Sequence, residues 1–171
     1  MTYEINTYIN NEDNSARFVL GYDNSNPLIV IGVNPSTADE RKSDATIRRV
    51  LGYMQRNGFN GFLMLNVYSQ RATNPDCLSK KCDEVLHKKN LEHIEKVFQT
   101  HLNATFLVAF GDTILRKAYL KRCFADIVNT VLKYNPQWKQ IGNPTIKGNP
   151  RHPSRGSYQV LNELDIMKYV K

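Results

Sequence analysis

Three apolar runs constrain this chain most: Leu28-Ile29-Val30-Ile31, Phe62-Leu63-Met64-Leu65 and Phe106-Leu107-Val108-Ala109. None alternates between apolar and polar residues, so each reads as a strand covered on both faces, the environment of a parallel strand inside a sheet. Between the first two, Ile47, Val50, Leu51 and Met54 recur at helical spacing, with Ser43 or Asp44 as cap and Gly58 as stop. A second helix is expected over Lys80 to Thr100, with Leu91, Ile94 and Phe98 on one face, and a third from a cap at Thr113 to about Lys133. A further strand near Trp138 to Ile141 and a closing helix over Tyr158 to Tyr169 complete the pattern. Tyr3 to Tyr8 and Arg17 to Tyr22, around the turn-rich Asn10 to Asn14, read as a hairpin. The expected fold is therefore a three-layer α/β/α arrangement with a mainly parallel four-stranded central sheet and an added N-terminal β-hairpin. With no internal repeat and no dividing linker, residues 1–171 read as a single domain.

Polar fragments stand where the strands should end. In open α/β sheets the ligand crevice lies beyond the carboxyl ends of the strands, so these fragments can converge. The first is Gly32-Val33-Asn34-Pro35-Ser36. Gly32 permits close backbone approach, Pro35 stiffens the turn, and Asn34 can hold a water through its carbonyl while its NH₂ group donates to a ligand. The second is Asn66, whose carboxamide offers a donor and an acceptor side by side, as one edge of a nucleobase requires. The third is Arg151-His152-Pro153-Ser154, where neighbouring Arg151 and Arg155 disfavour an imidazolium and favour a neutral, donating ring. Each has a structural alternative: both asparagines can cap their own turns, and His152 can be a surface residue of a basic loop.

Charge bears on the partner. Of 23 lysines and arginines, 22 follow Val33, against 12 of the 16 acidic residues, and Lys139 to Arg155 carries four cations and no anion. Such a field favours a polyanion, nucleic acid or nucleotide. No apolar run approaches the ~20 residues of a membrane span, and the first residues lack a secretory layout, so no membrane partner is expected and the cytoplasm is the default compartment. Cys77, Cys82 and Cys123 form no CxxC pair and read as free thiols, while His87, His93 and His101 read as solvated helix residues. Neither a metal nor any other cofactor is called for.

Taken in order, the fragments resemble the uracil-DNA glycosylase superfamily. Gly32 to Ser36 is similar to its first motif in the Asn-containing form of the mismatch-specific branch. Leu63 to Asn66 resembles the strand ending in the base-reading Asn, Phe106 to Gly111 its third core strand, and His152-Pro153-Ser154-Arg155-Gly156-Ser157 its second active-site motif. A closer resemblance, to the DUF1643 proteins, rests on Asn34-Pro35-Ser36-Thr37-Ala38, Asp44-Ala45-Thr46-Ile47-Arg48-Arg49, and Asn66 with Arg71-Ala72-Thr73. The glycosylase resemblance implies that Asn34 positions the water attacking C1′, Asn66 reads the base and His152 stabilises the departing base anion, by electrostatic preorganisation and without a metal. It departs from the glycosylases at Asn34, where the most active ones carry Asp, at Ser36, near the place of a thymine-excluding ring, and at Gly156, in place of a duplex wedge. Without a wedge, base extraction needs help from Arg155 or an easily unpaired substrate.

Asp44, Arg48 and Arg49 have no counterpart in the glycosylase motifs. Asp44 and Arg48 can pair on one helix face, or Asp44 can enter the site while Arg48 or Arg49 grips a phosphate. Three readings stay open: a glycosylase-like hydrolase acting on a nucleobase in DNA or a nucleotide, a non-catalytic binding module, and a hydrolase of a phosphorylated small molecule using Asp44, Arg48 and Arg49.

Overall fold

The computed structural model describes residues 3–154 and 157–170. Its strands are β1 (Thr7–Asn10), β2 (Arg17–Tyr22), β3 (Pro27–Gly32), β4 (Gly61–Asn66), β5 (Thr105–Val108), β6 (Gln137–Ile141) and β7 (Leu161–Glu163). They form one mixed sheet in the order β1-β2-β4-β3-β5-β6-β7. Strands β4, β3, β5 and β6 run parallel to their neighbours within that group, whereas β1–β2, β2–β4 and β6–β7 are antiparallel.

The expected mainly parallel four-stranded sheet with an appended hairpin is thereby corrected to a seven-stranded mixed sheet with three α-helices. The cause lies in the flanking strands. In β2 every residue but Tyr22 is buried, so this strand cannot stand outside the sheet and instead pairs with β4, Leu20 opposite Met64 and Tyr22 opposite Phe62. At the other edge the expected closing helix is replaced by β7 and a short 3-10 turn, Ile166–Tyr169. Strand β7 lies against β6 with Ile141 opposite Leu161, and Lys139 pairs with Glu163 across the same ladder.

Helix α1 (Ala45–Arg56) covers one face of the sheet, where Ile47, Val50 and Tyr53 pack on Leu28, Val30, Phe62 and Met64. Its N-cap is Asp44, which accepts from the Ile47 N–H at 2.9 Å. Helices α2 (Glu84–Thr100) and α3 (Tyr119–Val131) cover the other face, with Ile94, Phe98, Phe124 and Ile127 against Ile31, Leu65 and Phe106. Asp83 caps α2 by accepting from the Val85 and Leu86 N–H groups. The stretch expected as one helix from Thr113 breaks into a 3-10 turn, Gly111–Leu115, before α3 begins.

The α2 histidines depart from expectation. His87 is buried and bonds Asp126 of α3 at 2.9 Å, and His93 stacks on Phe18 of β2 at 4.5 Å. His101 lies 2.8 Å from Asp23. These residues lock α2 to its surroundings rather than facing water. Among the described residues no helix is long and apolar enough to cross a membrane.

Gly21 is what lets β2 approach β4. A methyl group there falls on the Phe62 carbonyl of the partner strand, a backbone atom that cannot swing aside. Gly21→Ala is expected to lower stability by about 2–3 kcal/mol, as overpacking does, read as a lower urea midpoint at unchanged m value.

Candidate functional site

The parallel strands β3, β4 and β5 end at one edge of the sheet, and the segments beyond those ends build a cavity of about 220 Å³. From the β3 end come Gly32, Val33, Asn34 and Ser36; from α1 and its cap, Asp44, Thr46 and Ile47; from the segment after β4, Ala72, Thr73 and Pro75. Phe110 and Thr113 come from the segment after β5, and His152 closes the far side. Arg17 and Met64 complete the wall. Five residues singled out from the sequence thus meet here: Gly32, Asn34, Ser36, Asp44 and His152.

The Asn34 amide has a fixed orientation. Its Nδ2 donates to the Pro35 carbonyl at 3.0 Å and to the Ala72 carbonyl at 2.8 Å. Only the NH₂ end can serve two carbonyls, so Oδ1 is left as the acceptor in the cavity wall. The NH₂ group expected to reach a ligand is therefore engaged by the backbone. Pro35 is buried behind the loop and does not line the cavity.

His152 is placed by a short series of anchors. The Gly111 N–H donates to the Pro150 carbonyl at 2.8 Å, and Gly111 itself, at φ +59°, lies so close that a Cβ there stands 3.1 Å from the His152 Cβ. Asp112 Oδ1 accepts from Thr145 Oγ1 and Asn149 Nδ2, both at 2.7 Å, and Arg151 Nε donates to the Asn143 carbonyl. At the ring, Ser154 donates to Nδ1 from its backbone N–H at 3.3 Å, with its hydroxyl oxygen 2.7 Å from the same nitrogen. A nitrogen that accepts carries no proton, so in its neutral form the ring holds its proton on Nε2. Ser154 acts on the imidazole from outside the cavity.

Asn66 is fully buried on the α1 face of the sheet, directly beside Gly32 in the β3–β4 register. Among the described residues neither its Oδ1 nor its Nδ2 has a partner, and Oδ1 lies 3.6 Å from where a Gly32 Cβ would stand. It does not itself line the cavity; it lies behind the thin floor that Gly32 makes. On the opposite face Asn90 of α2 donates to the Asn66 and Val67 carbonyls and holds the strand end.

The arginines sort differently from their sequence pattern. Arg48 is exposed and donates to the Ser43 carbonyl; it neither lines the cavity nor forms an ion pair with Asp44. Arg49 donates from Nε to the Pro153 carbonyl at 3.0 Å, and its guanidinium lies 3.8 Å from the Tyr158 ring centre, so it braces the His152 loop against α1. Arg71 ties Ser36 and Ala38 to Asn14 and Tyr8 of the hairpin. Arg155 falls outside the described residues.

One lining residue had no sequence signal. Antiparallel pairing of β2 with β4 brings the start of β2, hence Arg17, to the same edge as the carboxyl ends of β3, β4 and β5. Arg17 is 2 % exposed and its Nη1 donates to the Ala38 carbonyl at 2.9 Å. Burial, and after it the Arg71 charge, lowers its pKa to about 10, which leaves it a cation at neutral pH. A basic residue beginning a six-residue strand reads as surface until the sheet order is known.

Beyond His152 the cavity meets a wider groove of about 780 Å³, lined in part by Thr113, Arg116, Ile146, Lys147, Arg151 and Ser154. The family model described as a protein of unknown function, DUF1643, matches residues 17–154, and the chain belongs to that family. The matched span contains every residue that lines the cavity. No curated protein and no solved structure matches the chain.

Asp112 and Gly111 supply a test of how His152 is held. Hydrogen bonds from Asn149 and then Thr145 hold the Asp112 carboxyl below the usual carboxylate range. Its stabilisation is therefore full above the unfolded value, roughly 3.9, and is lost as pH falls through the lower folded value. Asp112→Asn should lower the thermal midpoint at pH 7, and the gap to the wild type should close at strongly acidic pH. Gly111→Ala should displace His152 at any pH, visible as a shifted His152 imidazole resonance.

Proposed function

We propose that the protein is a glycosylase-like hydrolase acting on a nucleobase carried by a nucleotide or a DNA strand. The observation that carries this reading is the presence of three complementary groups from distant segments on one cavity: the Asn34 carbonyl, the Asp44 carboxylate and the His152 imidazole. An acceptor and a carboxylate suit a water molecule; a neutral ring with its proton on Nε2 suits a departing base.

In the proposed reaction Asn34 Oδ1 orients the water and Asp44 takes its proton as the oxygen bonds to C1′. The C1′–N bond breaks, its electron pair leaves with the base, and the Nε2–H of His152 donates to the developing anion. Asp44 supplies the carboxylate that the first motif lacks at Asn34. Its cap bond to the Ile47 N–H uses Oδ1 and leaves the second carboxylate oxygen for the water. Asn66 is proposed to contribute its unpartnered carboxamide to base recognition across Gly32. Arg116, Lys147 and Arg151 along the groove support a phosphate-bearing partner.

A second reading, a non-catalytic module that binds a nucleic-acid strand, draws on that same groove, where Ile146 is fully exposed among the cations. Single-turnover base release separates the two, using oligonucleotides and free nucleotides carrying uracil, hypoxanthine or xanthine. The wild type should release one of these bases, and His152→Ala and Asn34→Ala should each slow release by about 100-fold or more. Asp44→Asn is the sharpest variant, because Asn caps a helix as well as Asp does. It should abolish release at an unchanged melting temperature. Binding without release from any substrate would favour the module.

A further inference from the structure

The end of the cavity farthest from His152 has an unmet electrostatic requirement. Arg17 is almost completely buried, yet among the described residues no carboxylate forms an ion pair with it. Among the described residues its guanidinium makes a single hydrogen bond, to the Ala38 carbonyl, and Nε is buried without a partner. The same Ala38 carbonyl accepts from Arg71, so two guanidinium groups converge on one neutral oxygen. Removing a cation from water without a counter-charge is costly, and placing a second cation beside it raises that cost.

Other features of this end point the same way. Asp44, the strongest acidic influence on Arg17, forms no ion pair with it and holds the α1 cap through Oδ1. The α1 N-terminus itself faces the cavity through Thr46 and Ile47, and its dipole adds positive potential. On the strand next to Arg17, the buried Asn66 carboxamide also lacks partners among the described residues.

We infer that the Arg17 end of the cavity is a binding site for a terminal oxyanion of the substrate, a phosphate monoester or a carboxylate, with Arg17 as its counter-ion. The inference rests on the cavity being the substrate site. It narrows the substrate class to a small anionic molecule or a strand end. A chain continuing on both sides of an internal phosphodiester needs an open channel, whereas Arg17 is 2 % exposed and lines a cavity of about 220 Å³. The wide opening is at the other end, where His152 borders the groove. Arg17 on β2 and His152 beside the end of β5 are three strands apart, roughly 14 Å at ~4.8 Å per strand. The anion therefore enters first, and the reacting bond lies nearer Asn34 and His152.

The test is thermal unfolding of the wild-type chain with inorganic phosphate or acetate at constant ionic strength, alongside calorimetric binding of nucleoside monophosphates and their nucleosides. One of the two anions should raise the wild-type midpoint saturably, and which one does so names the group. Arg17→Met should abolish that shift while melting, ligand-free, at or above the wild type, because an unpaired buried charge has been removed. Arg17→Lys should retain part of the shift, and Lys88→Ala, at an exposed lysine of α2 outside the cavity and the groove, should retain all of it. Monophosphates should bind at least tenfold more tightly than nucleosides if phosphate is the group, a comparison that needs no variant. The inference is overturned by an equal shift in Arg17→Met, by a shift lost in Lys88→Ala, or by no saturable shift with either anion. Binding through Arg17 without base release would remove the hydrolase and leave the anion site standing. Base release at equal rates from nucleosides and monophosphates, with no anion shift, would do the reverse.

Discussion

The pairing of β2 with β4 is the contact on which the site depends. Strands β3, β4 and β5 would carry Gly32, Asn66 and Gly111 to one edge without it. The edge would then lack its fourth wall. Because β2 runs antiparallel to β4, its first residue and not its last reaches the crevice, and that residue is Arg17. The Arg17 N–H donates to the Ser69 carbonyl beyond β4, which continues the ladder past the strand and fixes the guanidinium over the cavity. Arg71 then links the hairpin to Ser36 and Ala38. The segment carrying Asn34 is thus held from two sides, and a local change at Gly21 reaches the site through both.

This dependence explains which parts of the architecture could be read from the amino acids. Apolar runs such as Leu28 to Ile31 locate strands because burial on both faces leaves a one-dimensional signature. The neighbour of a strand leaves none. Arg17 to Tyr22 has the same composition whether it lies at an exposed edge or inside a seven-stranded sheet, so the hairpin was legible and its insertion was not. Leu161 to Glu163 is too short for periodicity to speak, and only its ladder with β6 makes it a strand. His87 and His93 look solvated in a polar helix until Asp126 and Phe18 arrive from elsewhere in the chain.

The arginines teach a related lesson about sites. Arg48 and Arg49 stand close to Asp44 in sequence, and that proximity suggests a phosphate clamp. Helical geometry sends consecutive residues about 100° apart around the axis. The cavity takes Asp44, Thr46 and Ile47 from the first turn, and the next two residues turn away from it. Arg49 points to the Pro153 carbonyl and the Tyr158 ring, which Arg56 also approaches at 3.8 Å. The absence of a side chain on Gly52 makes room for that ring against α1. These cations shape the loop that presents His152, while the cation that faces the cavity comes from a strand 27 residues earlier than Asp44.

Asp44 joins the packing of the molecule to the chemistry proposed for its cavity. A carboxylate at an N-cap is held by the helix it terminates, and Ile47, whose N–H it accepts from, is also a core residue under Val30 and Met64. Its position is therefore set by the packing of α1 on the sheet and not by a flexible loop. The same packing places Tyr53 to receive Tyr158 and, through Arg49, the His152 segment. A rigid-body shift of α1 would thus move the carboxylate and the imidazole together relative to Asn34, which is fixed to β3 and to Ala72. The chemistry proposed for the cavity uses groups on two bodies, and it requires that these bodies not slide. The apolar contact of Ile47 and Val50 with β3 and β4 is what prevents it.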